Sequence, residues 1–235
     1  MNKEKDALVK MLRENKISQE EYQLLLNAVD KQPSPLARRL SLLINPFQKI
    51  AGIKALVLGL IMLVAASYIG TIAKVYTIGV LGCLNAAIVK HAKLEPDFLL
   101  LLAQNLLVWL VLTGLFILAA KICRQKRLRW VDFFGTVALA RFPFLILVSL
   151  IAVLRVYFPE VLNIDLSKGL DLHPTLATSL FNAGVMLCFA WILVTYFYAL
   201  KEASGLIGKK LWLSYAGALI LGDVVTSALT MGILK

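Results

Sequence analysis

Charge is scarce in this chain, and negative charge is scarcest. Only 17% of its 235 residues are Asp, Glu, Lys or Arg, with 14 acidic against 25 basic. A soluble domain carries about 25% charged and about 45–50% apolar residues. Here the apolar share is 60% and the mean hydropathy is +0.79. So little charge cannot cover a water-facing surface, which excludes an ordinary soluble domain. Cysteine and histidine are also few. Cys83, Cys123 and Cys188 are widely spaced with no CxxC pair, which speaks against a disulfide framework or a zinc site. His91 has Glu95 and Asp97 nearby, and His173 has Asp165 and Asp171. Nothing in the spacing makes those two stretches converge, so they read as surface histidines, with no metal and no cofactor expected. HExxH, GxSxG, a Walker loop and paired intramembrane aspartates are all missing, and with them the signature of a hydrolase or ATPase. No enzyme is expected. No apolar stretch follows Lys3, Glu4, Lys5 and Asp6, so a cleavable secretory signal is not expected either.

What the chain has instead is long apolar runs. A hydrocarbon core about 30 Å thick needs roughly 20 helical residues. Five runs meet that length, near 51–73, 98–121, 133–157, 174–200 and 211–234. The expected fold class is all-α: a polytopic transmembrane helical bundle of five spans over 50–235. Residues 76–89 are apolar but shorter, and contain Gly79, Gly82 and Asn85. They read as an outer loop, with a β-hairpin and a re-entrant segment left open.

The basic residues orient the spans. With the N-terminus inside, the cytoplasmic segments hold 17 Lys and Arg and the outer segments hold 6, Lys54 and Arg141 falling within spans. Cytoplasmic loops carry the excess of Lys and Arg, so the N-terminus is expected in the cytoplasm and the C-terminus outside. The net charge of +11 then has a simple partner. Arg38, Arg39, Lys121, Arg124, Lys126, Arg127 and Arg129 flank apolar runs, where anionic lipid headgroups lie. No spacing of basic and aromatic residues suggests nucleic acid.

Residues 1–32 read as a small cytoplasmic helical hairpin. Leu8, Val9 and Leu12 give its first half an amphipathic face, and Tyr22, Leu24, Leu25 and Val29 its second. Ser18 with Glu21 three residues later forms a capping box, and Ile17 and Tyr22 are placed as a hydrophobic staple across it. So small a unit needs a second copy, a protein partner or the membrane surface for stability. Pro33 and Pro35 open a linker and membrane-surface segment over 33–49.

Polar groups within lipid are costly, so they mark candidate sites. At about 1.5 Å per residue, Arg141 and Asp223 fall at similar depth in two parallel spans. The expectation is an intramembrane ion pair, with Pro143 kinking the helix beside it. Such a pair serves either to fix helix order or as the coupling pair of a small transporter or channel subunit. Gln104, Asn105 and Asn182 are expected to bond between helices, and Ser214, Ala216, Gly217, Ala218 and Gly222 to mark a close-packed face.

Three segments carry a family resemblance: Asn45-Pro46-Phe47 before the first span, Arg129-Trp130-Val131-Asp132-Phe133-Phe134-Gly135-Thr136 leading to Ala140-Arg141-Phe142-Pro143, and Ala199-Leu200-Lys201-Glu202-Ala203-Ser204-Gly205 between the last two spans. With the five-span plan, over about 45–235, the chain resembles the Yip domain family of membrane-trafficking proteins. The acidic and glycine-rich signatures of the eukaryotic members are missing, so Rab binding is not carried over. Ile17-Ser18-Gln19-Glu20-Glu21-Tyr22 is similar to the short helical SHOCT module of bacterial membrane proteins. The resemblance implies a non-enzymatic scaffold or trafficking/organisation factor. Its place would be the cytoplasmic (inner) membrane if the source is bacterial, with the hairpin recruiting a partner or a second copy.

Overall fold

The computed structural model describes residues 9–14, 17–30, 41–77, 79–80, 96–125, 128–157 and 176–234. They divide into two compact units, 1–43 and 44–235. In the first, residues 9–13 are helical and α1 spans Gln19–Asp30. The Ser18 N–H donates to Glu21 Oε2 at 2.9 Å, and the Glu21 N–H donates to Ser18 Oγ at 3.2 Å. That reciprocal pair satisfies two amide donors that the start of a helix leaves open. The linker prolines, Arg38 and Arg39 lie outside the described residues.

The second unit is an all-α bundle. Its helices are α2 (Gly52–Ala73), α3 (Phe98–Ile122), α4 (Trp130–Leu139), α5 (Phe142–Tyr157), α6 (Leu176–Ser204) and α7 (Gly208–Leu234), with a short 3-10 turn at Pro46–Gln48. Taking α4 and α5 as one broken span, five are long and apolar enough to cross a membrane. The chain is an integral membrane protein by this measure, and among the described residues there is no strand.

The ends of the helices follow local chemistry. Asp97 caps α3, its carboxylate accepting from Leu100 N–H at 2.7 Å. The third span opens at Trp130 rather than 133 because Asp132 sits in its first turn, where a negative charge suits the helix dipole. The fourth runs on past 200 to Ser204. Its Lys201 is carried over the Tyr198 ring at 5.7 Å, and the helix stops only at Gly205, whose N–H bonds to the Lys201 carbonyl at a φ of 67°. The turn into α7 is therefore just 205–207.

α2 is apolar all round, so its buried side is distinguished by size. Ala55, Gly59, Leu63, Ala66, Ser67, Gly70 and Ala73 face inward, while Ile53, Val57, Ile61, Val64, Tyr68 and Ile72 face outward. Without a hydrophobic drive between helices in lipid, close backbone approach supplies the packing. A Cβ on Gly59 would lie 2.5 Å from Ala138 Cβ, and one on Gly135 would lie 2.7 Å from the Gly52 carbonyl oxygen. α2 thus packs tightly on α4, and also on α5 and α3. α3 holds α7, and α6 rests on both halves of the third span, whereas α6 and α7 touch each other little.

The face of small residues expected on the fifth span is only partly used. Ala218 and Gly222 are buried, Ala216 and Gly217 are exposed, and nothing lies within 4 Å of a Cβ built on Gly217. The tight interface is between the first and third spans instead.

The third span breaks at Ala140 and Arg141. Pro143 has no N–H to give the Leu139 carbonyl, and its ring crowds that carbonyl. The Ala140 carbonyl is satisfied from another helix, by the Thr195 hydroxyl at 2.9 Å. Borrowing a neighbour's hydroxyl is how a break at membrane depth is tolerated.

Candidate functional site

The break turns Arg141 into the bundle, where the residue is 4% exposed. Its Nη2 donates to Asn105 Oδ1 at 2.8 Å. Asn105, 1% exposed, donates from Nδ2 to Ser67 Oγ at 2.9 Å, and the Ser67 hydroxyl donates to the Leu63 carbonyl at 2.8 Å. One chain of polar atoms therefore joins the broken third span to α3 and α2. The fully buried Tyr196 of α6 lies within electrostatic reach of the guanidinium, and Phe144 offers its ring face 5.1 Å from Arg141 Cζ. Arg141 Nε and Nη1 make no hydrogen bond, nor does the amide nitrogen of Gln104.

Arg141 and Asp223 are not joined. Among the described residues no ion pair links them, and Arg141's bond goes to Asn105. The reason is azimuth: similar depth along two helices says nothing of whether they are neighbours, and α7 packs chiefly on α3. The Asp223 carboxylate lies instead against Gly79, where a Cβ would meet its Oδ1 at 2.3 Å and Ser227 Oγ at 2.7 Å. Gly79 also has φ of 74°, so both space and backbone ask for glycine there.

Gly79 belongs to the short run expected to be an outer loop. Tyr76, Thr77, Gly79 and Val80 are all buried. The Thr77 N–H donates to Gln104 Oε1 at 3.0 Å, seven residues into α3, which is about 10 Å past its start. Non-helical backbone at that depth is tolerated only when protein encloses it and satisfies it. The described part of this run therefore dips into the bundle. Its remaining residues, 78 and 81–89, lie outside the described ones, as do His91, His173 and the side chain of Asn182.

A second feature lies between α6 and α7. Because these helices touch little, they leave a cavity of about 720 Å³ lined by Leu193, Phe197, Trp212, Tyr215, Leu219 and Asp223, among others. Phe197 stands 4.6 Å from Trp212 and 5.3 Å from Tyr215, centroid to centroid. The Tyr215 hydroxyl donates to the Leu193 carbonyl across the helices.

The end of the bundle holding the α6–α7 turn carries the segments singled out in the sequence. Asn45 Nδ2 donates to Glu202 Oε1 at 2.8 Å, and Phe47 is buried. The Thr136 hydroxyl reaches the Ala199 carbonyl at 3.4 Å, and Trp109 Nε1 donates to the Phe134 carbonyl at 2.9 Å. Among the basic residues there, Lys121 lies over the Trp130 ring at 4.9 Å, Arg129 stands 4.0 Å from Asp132, and Arg124 is exposed. Lys126 and Arg127 lie outside the described residues.

Ser67, Thr77 and Tyr196 were not singled out in the sequence. Ser67 had a signal, since it sits in the inward row of small residues on α2. Thr77 had none. Searches of protein-family models, curated proteins and solved structures found no match to this chain.

Proposed function

We propose that this is a non-enzymatic integral membrane protein that acts as a scaffold or organisation factor, in the manner of the Yip-like proteins it resembles. On this reading the bundle is the anchor, and the unit over 1–43 recruits a partner or a second copy on the cytoplasmic side. The N-terminus is inside, the C-terminus outside, and the membrane is the inner one if the source is bacterial. One observation carries the reading: the described residues of 1–43 cluster as a compact unit of their own, with a complete capping box. The three motif segments also touch one another, Asn45 with Glu202 and Thr136 with Ala199.

The test compares the full chain with one lacking residues 1–43. The shortened chain should stay in the membrane with unchanged helicity, while cross-linked assemblies that contain the full chain disappear. Assemblies that persist without those residues would sink the recruiting role.

A second reading rests on a separate observation, the two guanidinium nitrogens of Arg141 that make no hydrogen bond. A fixed buried cation is what a small transporter or channel subunit would use to bind or gate an anion. Proteoliposomes decide it. Ion flux above empty vesicles that falls in Arg141→Met would favour transport, and flux equal to empty vesicles would leave the scaffold.

A further inference from the structure

The groove between α6 and α7 has a charged mouth. Lys201 leans over Tyr198, which lines the groove, and Lys209 and Lys210 open α7 on the exposed surface just before Trp212. Among the described residues, Glu202 is the acid of this turn, and it is engaged by Asn45. From that mouth the lining residues of α7 follow one face: Trp212, Tyr215, Ala216, Leu219, Ile220 and Asp223. That face extends for about 16 Å at 1.5 Å per residue. The Asp223 carboxylate at the far end lies on Gly79. Three cations at one turn, a cluster of packed aromatic rings and a long apolar face thus follow one another along α6 and α7.

We propose that this groove is a binding site for an anionic phospholipid, with the phosphate at Lys201, Lys209 and Lys210 and one acyl chain along Ala216, Leu219 and Ile220, beside the packed rings of Phe197, Trp212 and Tyr215. Charge complementarity picks the headgroup, because basic pockets between membrane helices select anionic lipids. The sparse packing of α6 on α7 supplies the room, and the Tyr215–Leu193 hydrogen bond holds the two helices at a fixed spacing. Ordinary lipid contact would need neither three lysines at one turn nor a cavity of about 720 Å³. The site is separate from the recruiting role of residues 1–43.

Trp212 is 62% exposed in the groove and reports on it directly. The full chain is placed in phosphatidylcholine vesicles holding a small fraction of lipid with brominated acyl chains, which quench tryptophan on contact. The signal of Trp212 is the difference between the native chain and Trp212→Phe. Brominated phosphatidylglycerol should quench Trp212 at a much lower fraction than brominated phosphatidylcholine. Each lysine changed to Gln should erode that preference roughly fivefold. Lysine to arginine should retain it. Ala216→Phe, which fills the trough without touching a charge, should weaken quenching by the anionic lipid and keeps the test independent of any effect of the Gln changes on folding. Equal quenching by the two lipids would mean a bulk-lipid surface and overturn the proposal. Weak quenching by both, with cysteines at 212 cross-linking chain to chain, would put a second copy in the groove and overturn it as well.

Discussion

A guanidinium cannot shed its charge as a lysine can, so Arg141 stays cationic inside the bundle. Its hydrogen bond to Asn105 is therefore the contact most sensitive to substitution. Asn105→Ala would take the amide acceptor away from a buried charge, and leaving a buried donor without its partner costs about 1–3 kcal/mol, more where the group is charged. Arg141→Met combined with Asn105→Leu removes both polar partners and should recover most of that loss. Thermal unfolding in detergent, followed by helicity, gives the cycle; equal destabilisation by the single and double changes would rule out this account. The existence of a buried polar cluster was legible in the sequence, because Arg141 and Asn105 stand out among apolar neighbours. Its pairing was not, because which side chains meet depends on helix neighbours and rotation, which no single span records.

At the scale of the helix, packing is governed by the smallest side chains. The α2–α4 interface admits no methyl group at Gly59 or Gly135 without moving backbone. Gly59→Leu should cost about 1–3 kcal/mol or more, as overpacking does. Gly217→Ala should instead be neutral or stabilise by up to about 1 kcal/mol, since a helical glycine with open space gains from a methyl. Unfolding temperatures of the two variants check this, and a loss at Gly217 as large as that at Gly59 would contradict it. Glycine and alanine were visible in both helices, and the reading favoured the wrong one for close contact. The row on α2 is spaced at three and four residues from Ala55 to Ala73, and that period was the stronger sign. The helix ends were less legible. Lys201 and Asp132 sit inside helices because one snorkels over a tyrosine and the other serves an N-terminal dipole.

At the scale of the whole molecule, five spans and their order could be read directly, since length and apolarity alone decide them. The dip of Tyr76, Thr77, Gly79 and Val80 into the bundle could not, because an irregular segment gains its partners only from helices distant in sequence. Topology is the prediction that belongs here. Single cysteines at 97 and 157 should react with an impermeant thiol reagent from outside intact cells, and those at 20, 125 and 207 only after lysis, with the native cysteines replaced. External labelling at 125 would mean that the run after α2 crosses fully, giving six spans and putting the Yip-like reading aside.

The hydrogen bond between Asn45 and Glu202 joins the segment just before the first span to the turn between the last two. Phe47, buried beside it, makes the attachment a side-chain plug as well as a bond. In mechanical terms the load path departs from the chain order. A pull applied at Asn45 reaches the foot of α6, four spans away in sequence, through one side chain, as directly as it reaches α2 through the backbone.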